Sequence, residues 1–260
     1  NLFKQSWNEI RVKSLLQGWM ERRSEMKDCF IGLDIGTSSV RAVMFDGSGR
    51  QVSMDSVEYS VISDAGGWAE LDPDLMFEAC INVIRNCMEK AGSKKNCTAG
   101  IGISCQMHSL MAVDGAGQPL TRLITWMDTR AAKEADYILK NCDVGDMYYR
   151  TGCRVQHPMY PLSKLLWMKV NAPETFGKAY KFITIKEYII FRLFNRFVVD
   201  YTLAASQGYY DIHRQQWERD IIEGILEMTA DRFSEVVECT YVLKGMKAEC
   251  ARKMGVDAEI

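Results

Sequence analysis

The clearest hydrophobic pattern near the start of the chain is an apolar run at residues 30–33 that leads into Asp34. A second run, rich in β-branched and apolar residues, occupies residues 40–45, and Gly36 lies in the short link between the two. Two such runs around a glycine predict a β-hairpin, because backbone without a Cβ turns tightly and can approach a ligand closely. Residues 51–60 predict a third strand.

The first helix is predicted where Asp72 provides a good N-cap and Pro73 suits the first helical position. Apolar residues then recur at helical spacing, which predicts one buried face, and the pattern ends near Gly92. The residues expected on that face are Leu75, Ala79, Val83 and Cys87.

The remainder of the chain alternates between short strand-like and helix-like segments. This alternation predicts an α/β fold. Asp128 is expected to cap a helix over residues 129–139, and Trp217 is expected to lie in an amphipathic helix. Further strands are predicted at residues 99–105, 110–114, 123–125 and 179–182. Further helices are predicted at residues 143–152, ending at Gly152, at residues 162–168 and 185–193, and as a small helix within residues 242–254 that ends at Gly255.

Residues 1–27 differ from the rest of the chain, with apolar positions at roughly helical spacing and no candidate chemistry. We expect them to be a leader or an appended helix outside the fold, and residues 28–260 to form the domain.

The composition, 47% hydrophobic and 25% charged, is that of a soluble globular protein. The net charge of -2 provides no basic surface for nucleic acid or for a membrane.

The nine cysteines form no Cys-x-x-Cys pair and no metal-ligand spacing with the three histidines. They are typical of reduced thiols in a cytoplasmic protein. No apolar stretch is long enough to span a membrane, and no secretory signal pattern is present.

The first candidate chemistry lies at the predicted hairpin. A carboxylate at a strand end, Asp34, precedes Gly36, Thr37 and Ser38, whose amides and hydroxyls are able to hold phosphate oxygens. Asp34 is able to hold Mg²⁺ through water, so this pattern suits a metal-bound phosphate. The alternative is an ordinary hairpin in which the aspartate is a turn former.

Two further groups of polar and aromatic residues come after predicted strands. Gln106, Met107 and His108 lie past the end of one strand, where side chains of an open α/β sheet face a ligand crevice. Trp126 and Asp128 come after the strand that begins at residue 123. A tryptophan offers a flat apolar surface to a sugar. A structural histidine, a core tryptophan and an Asp128 ion pair with the following arginine remain open alternatives.

Two nucleotide-binding patterns are excluded by the motifs. No Gly-x-x-x-x-Gly-Lys-Ser/Thr loop occurs, which argues against a P-loop kinase. The first glycine turn leads directly into a returning strand, whereas a dinucleotide-binding domain needs a crossover helix there.

The order and spacing of these motifs resemble the N-terminal domain of the FGGY family of carbohydrate kinases. The resemblance covers almost everything after residue 26. It rests on Asp34 to Thr37, Gly67 to Pro73, Gly102 to His108, Trp126 to Arg130, Ser163 with Lys164, and Asp200 to Ser206.

This resemblance implies a ribonuclease H-like/actin-like ATPase fold, in which a mixed β-sheet is flanked by helices. It also implies a two-domain enzyme that phosphorylates a sugar with ATP and Mg²⁺. Asp34 and Thr37 would face the metal and the terminal phosphate, with Gly36 and Ser38 in the same link. The implied sugar-binding residues are Gln106, Met107, His108, Trp126, Asp128, Met159 and Tyr160.

Glycerol kinases of this family carry an Arg-Glu pair where Met107 and His108 stand, so the resemblance favours the gluconokinase and xylulokinase branches. We expect D-gluconate as substrate, converted to 6-phosphogluconate, with D-xylulose as the alternative. A non-catalytic actin-like or sugar-sensing module is the alternative from another class. The expected partners are a small sugar or sugar acid and ATP, with a homodimer left open.

The catalytic aspartate of the family is expected beyond Ile260, because the family's Gly-(Ser/Gly)-Asp-(Gly/Asn/Gln) motif does not occur in this chain. The C-terminal nucleotide-binding domain is likewise expected to be absent from this chain. The sequence therefore predicts that these residues alone have no kinase activity.

Overall fold

A computed structural model describes residues 28–260. The predicted leader, residues 1–27, lies outside the described residues, so its assignment stays a prediction.

The principal sheet contains four strands in the order β3-β2-β1-β6. The first two strands form the predicted hairpin, and β6 lies parallel to β1 on the side opposite β2. The mixed sheet that the sequence predicts is thus confirmed. Its strands are β1 (Cys29–Ile35), β2 (Ser39–Phe45), β3 (Gln51–Glu58) and β6 (Thr98–Cys105).

One face of this sheet packs on helix α1 (Pro73–Lys90) and is buried at alternate positions of β1, such as Ile31 and Leu33. The predicted start of α1 is confirmed, because the Asp72 carboxylate accepts from the amides of Asp74 and Leu75. Leu75 was expected on the buried face, and that prediction is wrong: its side chain is 68% exposed. The face that meets the sheet includes Met76, Ala79, Cys80, Val83, Ile84 and Cys87.

The short strands and helices after β6 contribute to more than one core. Leu162, Leu165 and Phe182 lie in a second hydrophobic core, whereas Met111, Ile185 and Met254 lie in the core of the principal sheet. The strands after β6 are β7 (Met111–Val113), β8 (Leu123–Ile124), β9 (Lys181–Ile183), β10 (Val198–Asp200), β11 (Tyr210–Asp211), β12 (Gln216–Trp217) and β13 (Glu235–Val237). The strands β4 (Ile62–Ser63) and β5 (Ala69–Leu71) precede α1, and β5 pairs with β8.

The helices after β6 largely agree with the predicted pattern. They are α2 (Ala132–Asn141), α3 (Val144–Thr151), α4 (Pro161–Asn171), α5 (Pro173–Lys178), α6 (Ile185–Phe194), α7 (Tyr201–Ala205), α8 (Arg219–Ile221) and α9 (Ala248–Met254), and a π-helical turn, Ile222–Leu226, continues α8.

Two helix predictions are wrong in detail. Asp128 does not cap α2, which begins at Ala132 after Ala131. Trp217 lies in strand β12, because its ring packs among Tyr209, Tyr210 and Phe233. Among the described residues, no helix is both long and apolar enough to cross a lipid bilayer.

Helix α6 contains a buried carboxylate that should make stability depend on pH. Glu187 is 3% exposed and accepts from the Thr184 amide at 2.6 Å in a capping box. Burial raises the pKa of Glu187 to about 7, since the charged form loses its water. The folded protein therefore binds a proton more tightly than the unfolded chain, and the free energy of unfolding should fall as pH rises from about 4.5 to about 7.

We expect Glu187→Gln to remove this dependence, which amounts to up to about 3 kcal/mol across that interval. Urea denaturation at pH 4.5, 5.5, 6.5 and 7.5 measures it, with Glu174→Gln at an exposed site as the control. Equal pH slopes for the wild-type protein and Glu187→Gln would contradict the prediction.

Candidate functional site

The link between β1 and β2 is built around Gly36. The Gly36 amide donates to the carbonyl of Ser39 at 2.9 Å, and a Cβ on Gly36 would lie 3.1 Å from that oxygen. The turn is therefore tight enough to favour glycine. Thr37 and Ser38 occupy the rest of the link, outside the strand ladder, and the Ser38 carbonyl accepts from the Tyr59 amide at 3.0 Å.

Asp34 stands beside this link with an exposed side chain. Strand register places it between Arg41 of β2 and Ser104 of β6. Among the described residues, its carboxylate makes no hydrogen bond or ion pair. Because the oxygens of Asp34 are exposed and uncommitted, they fit a hydrated divalent cation.

The donor set suits magnesium better than a metal held entirely by protein. The described part of the chain contains no cluster of three or more His, Cys, Asp or Glu side chains that could hold a metal ion. Mg²⁺ usually keeps several waters and takes one or two carboxylates together with substrate phosphates. A single exposed carboxylate beside the Gly36 turn matches that requirement.

Thr37 connects the hairpin link to both of the other predicted groups. Its hydroxyl donates to Oε1 of Gln106 at 3.1 Å and accepts from the indole Nε1 of Trp126 at 2.9 Å. Gln106 also donates through Nε2 to the Gly36 carbonyl at 3.3 Å. The main-chain N–H of Gln106 donates to the carbonyl oxygen of Ile35 at 2.8 Å. Since β1 and β6 are parallel, their carboxyl ends meet at one edge of the sheet and bring these residues together.

Trp126 forms a half-exposed wall at this edge, with 44% of its surface accessible. The indole N–H is oriented by Thr37, so the ring plane has a defined direction. An accessible aromatic surface with one oriented polar edge is suited to the C–H face of a sugar. The alternative that Trp126 is a core residue is wrong, because core residues here are almost completely buried.

His108 lies past the end of β6 with a positive φ of 59°, which is uncommon outside glycine. Its Nδ1 is 2.7 Å from the carbonyl oxygen of Ser206, and its ring meets Tyr160 edge-on with centroids 4.8 Å apart. A carbonyl only accepts, so Nδ1 carries the proton and Nε2 is left as an acceptor. Burial lowers the pKa of His108, which favours this neutral form.

Asp128 is buried and forms an ion pair with Arg130. One carboxylate oxygen accepts from the Ala69 amide at 2.7 Å and from Nη2 of Arg130 at 2.7 Å. The same guanidinium reaches Glu70 at 2.6 Å and lies 3.6 Å from the ring centroid of Trp68. The ion-pair alternative for Asp128 is thus what the structure shows, and direct contact between Asp128 and a sugar stays a prediction.

Two predicted residues are less closely tied to this group. Met107 is 54% exposed and lines a cavity of about 330 Å³ together with Ser104 and Asp200. Met159 precedes Tyr160, and its amide donates to Nδ1 of His157 at 3.1 Å. Their roles in sugar binding remain predictions.

The residues that sequence reasoning did not assign to the site are those that orient its members. Ser206 fixes the ring of His108, and Glu70 with Trp68 fixes Arg130. The motif from Asp200 to Ser206 pointed to this region without indicating the contact. That contact joins residues 98 positions apart, so no local pattern could have revealed it.

Comparison with known proteins agrees with this architecture. Residues 29–260 match the N-terminal domain of the FGGY family of carbohydrate kinases. The chain is 36% identical over 234 residues to a gluconokinase of Bacillus licheniformis, a match covering 90% of this chain and 45% of that relative. The chain thus spans about half the length of the curated relatives it matches.

Solved structures give the same result. A gluconate kinase from Lactobacillus acidophilus has a TM-score of 0.84 at 35% identity, covering 88% of this chain and 46% of that one. A ligand-bound xylulose kinase from Lactobacillus acidophilus has a TM-score of 0.83, also at 35% identity and with coverage of 88% and 46%. The mixed sheet and flanking helices agree with the ribonuclease H-like/actin-like fold that the sequence predicts. The chain therefore belongs to the FGGY family of carbohydrate kinases.

Proposed function

We propose that this chain is the sugar-binding part of an ATP-dependent carbohydrate kinase, with D-gluconate as its first-choice substrate and 6-phosphogluconate as the product. One observation carries the proposal: the Thr37 hydroxyl is bonded to both Gln106 and Trp126. The link suited to phosphate and the wall suited to a sugar are therefore in direct contact. Phosphoryl transfer requires this proximity, because its catalysis rests mainly on positioning and charge stabilisation.

The residues of the site divide into two roles. Trp126 packs against the C–H face of the sugar, and Nε2 of His108 accepts a hydrogen bond from a hydroxyl. Asp34 holds Mg²⁺ through water, while the amides of Thr37 and Ser38 donate to phosphate oxygens. Bound Mg²⁺ would neutralise charge on the phosphate being transferred.

The general base is assigned to the part of the relatives' length that this chain does not span. Asp128 is engaged by Arg130 and by the Ala69 amide, and Asp34 is placed for the metal. Neither is therefore available to take a proton from the attacking hydroxyl. We accordingly propose that residues 28–260 are the sugar-binding domain, that the base and a nucleotide-binding domain lie outside them, and that the chain alone binds sugar without turnover.

D-xylulose is the second candidate substrate. A solved relative named as a ligand-bound xylulose kinase is as similar to this chain as the solved gluconate kinase. The two sugars differ in charge, since gluconate carries a carboxylate, so binding measurements can distinguish them.

A thermal-shift panel of gluconate, xylulose, ribulose and glycerol tests the proposal on the chain itself. A ligand that binds only the folded state raises the melting temperature by linkage. We expect gluconate to give the largest shift and xylulose the next. If none of the four compounds raises the melting temperature, the proposal is contradicted.

Substitution of Trp126 makes this test specific to the site. We expect Trp126→Ala to weaken sugar binding about 100-fold and Trp126→Phe about tenfold, because phenylalanine keeps an apolar surface and loses the indole N–H. Tyr148→Ala, at an exposed aromatic of α3, is the matched control and should bind normally. Isothermal titration with the best sugar measures the three affinities, and normal affinity in Trp126→Ala would contradict the assignment.

A further inference from the structure

Helix α4 contains a lysine that is completely buried. Lys164 is 0% exposed, and the neighbouring Ser163 and Leu165 are equally inaccessible. Lysine is almost never fully buried, because removing an ammonium group from water is unfavourable unless it is paired. A side chain in this position therefore calls for a physical explanation.

The ammonium of Lys164 binds two main-chain carbonyl groups. It donates to the carbonyl oxygen of His108 at 2.7 Å and to that of Thr125 at 2.7 Å. No carboxylate of the described residues lies within ion-pair distance of it. Burial lowers the pKa of Lys164 to about 7, and the charge of Asp128 opposes that shift.

The two carbonyls belong to the segments that carry the candidate sugar-binding residues. His108 ends the group at residues 106–108, and Thr125 immediately precedes Trp126. The two segments are joined by a pair of hydrogen bonds between Leu110 and Ile124, at 2.9 and 2.8 Å. Thr37 joins them a second time, through Gln106 and Trp126. Lys164 joins them through the carbonyls of His108 and Thr125, at the point where His108 adopts its positive φ.

From these contacts we infer that Lys164 is a positioning residue for sugar binding: it holds the carbonyls of His108 and Thr125 together and thereby sets the separation of His108 and Trp126. The inference rests on the proposed function. It does not place Lys164 in contact with a sugar. A single long cationic side chain suits this role, because two carbonyl groups facing one another from separate segments need a donor between them.

The role explains why a lysine is kept in the interior. A binding site loses affinity when its groups are displaced by about 1 Å, so fixing the supporting backbone is worth a buried donor. A purely apolar residue of similar size would fill the space and leave two buried carbonyl oxygens without this partner.

Lys164→Met tests the inference, because methionine keeps the length of the side chain and removes the donor. The matched control is Lys181→Met. Lys181 also donates to two main-chain carbonyls, those of Asp231 and Phe233, in a segment that carries no candidate site residue. Circular dichroism first establishes that each variant is folded, and Lys164→Gln serves as a second, smaller change if Lys164→Met does not fold.

Two readouts are compared on the 260-residue chain. By titration with the best sugar of the panel, we expect Lys164→Met to bind at least tenfold more weakly and Lys181→Met to bind normally. By hydrogen–deuterium exchange without sugar, we expect amides at residues 106–110 and 124–128 to exchange at least tenfold faster in Lys164→Met only. A general loss of stability would instead raise exchange throughout the chain.

The outcomes separate this inference from the proposed function. Normal sugar affinity in folded Lys164→Met, or unchanged exchange in the two segments, overturns the role of Lys164 while the proposed function stands. If the wild-type chain binds none of the four compounds, the proposed function fails. Hydrogen–deuterium exchange alone then decides whether Lys164 holds the two segments together.

Discussion

Asp128→Ala is expected to lower the free energy of unfolding by about 3–5 kcal/mol, the range for removing one partner of a buried ion pair. Asp128 is 1% exposed, and the Arg130 side chain paired with it is 4% exposed. Without Asp128, the Ala69 amide loses its acceptor, and Glu70 is the one carboxylate among the described residues that still pairs with the Arg130 guanidinium. Urea denaturation at pH 7, followed by circular dichroism, measures the change.

Asp136→Ala is the control for this experiment. Asp136 pairs with Lys140 on α2, and both side chains are more than half exposed. Ion pairs of this exposed kind contribute about 0.3–0.5 kcal/mol, because water and salt screen them. A loss below about 1 kcal/mol for Asp128→Ala, similar to that of the control, would show that the buried pair does not organise this part of the fold.

Gly117→Ala is expected to lower the free energy of unfolding by about 2–5 kcal/mol, from a backbone strain of about 1–2 kcal/mol and an overpacking term of about 1–3 kcal/mol. Gly117 closes the turn after β7 with a φ of +74°, a backbone conformation that L-amino acids rarely adopt. A Cβ there would lie 1.9 Å from Cε1 of Phe191, so the aromatic ring or the turn must move.

Gly115→Ala provides a control within the same turn. A Cβ at Gly115 would meet no atom within 4 Å. We expect its effect to be less than about 1 kcal/mol, and a small stabilisation is allowed because alanine restricts the unfolded chain. Thermal unfolding of both variants makes the comparison, and equal melting temperatures for Gly115→Ala and Gly117→Ala would refute the argument.

Local features of the fold were predictable from a few neighbouring residues. The cap at Asp72, the glycine after α3 and the glycine after α9 all lie where the pattern places them. Each depends on hydrogen bonds or backbone angles within one turn, so tertiary contacts change them little. The β1–β2 hairpin was predictable for the same reason.

Burial and helix identity were less predictable where packing between distant segments decides them. Leu75 fits the helical spacing of α1, yet the sheet meets the neighbouring stripe that contains Met76 and Cys80. Trp217 fits an amphipathic helix, but contact with Tyr209 and Phe233 holds it in a strand. Periodicity shows that one face of a helix is apolar; the partner surface determines which residues are covered.

By itself, the sequence determined the class of fold, the hairpin that carries Asp34 and Thr37, and the family to which the chain belongs. These depend on short motifs and on their order along the chain. Only the tertiary structure decided that Thr37 meets Gln106 and Trp126, which are 69 and 89 positions away, and that Lys164 lies buried beneath them. The physical reason is that such contacts form only when parallel strand ends and a packed helix bring separate segments to one edge of the sheet.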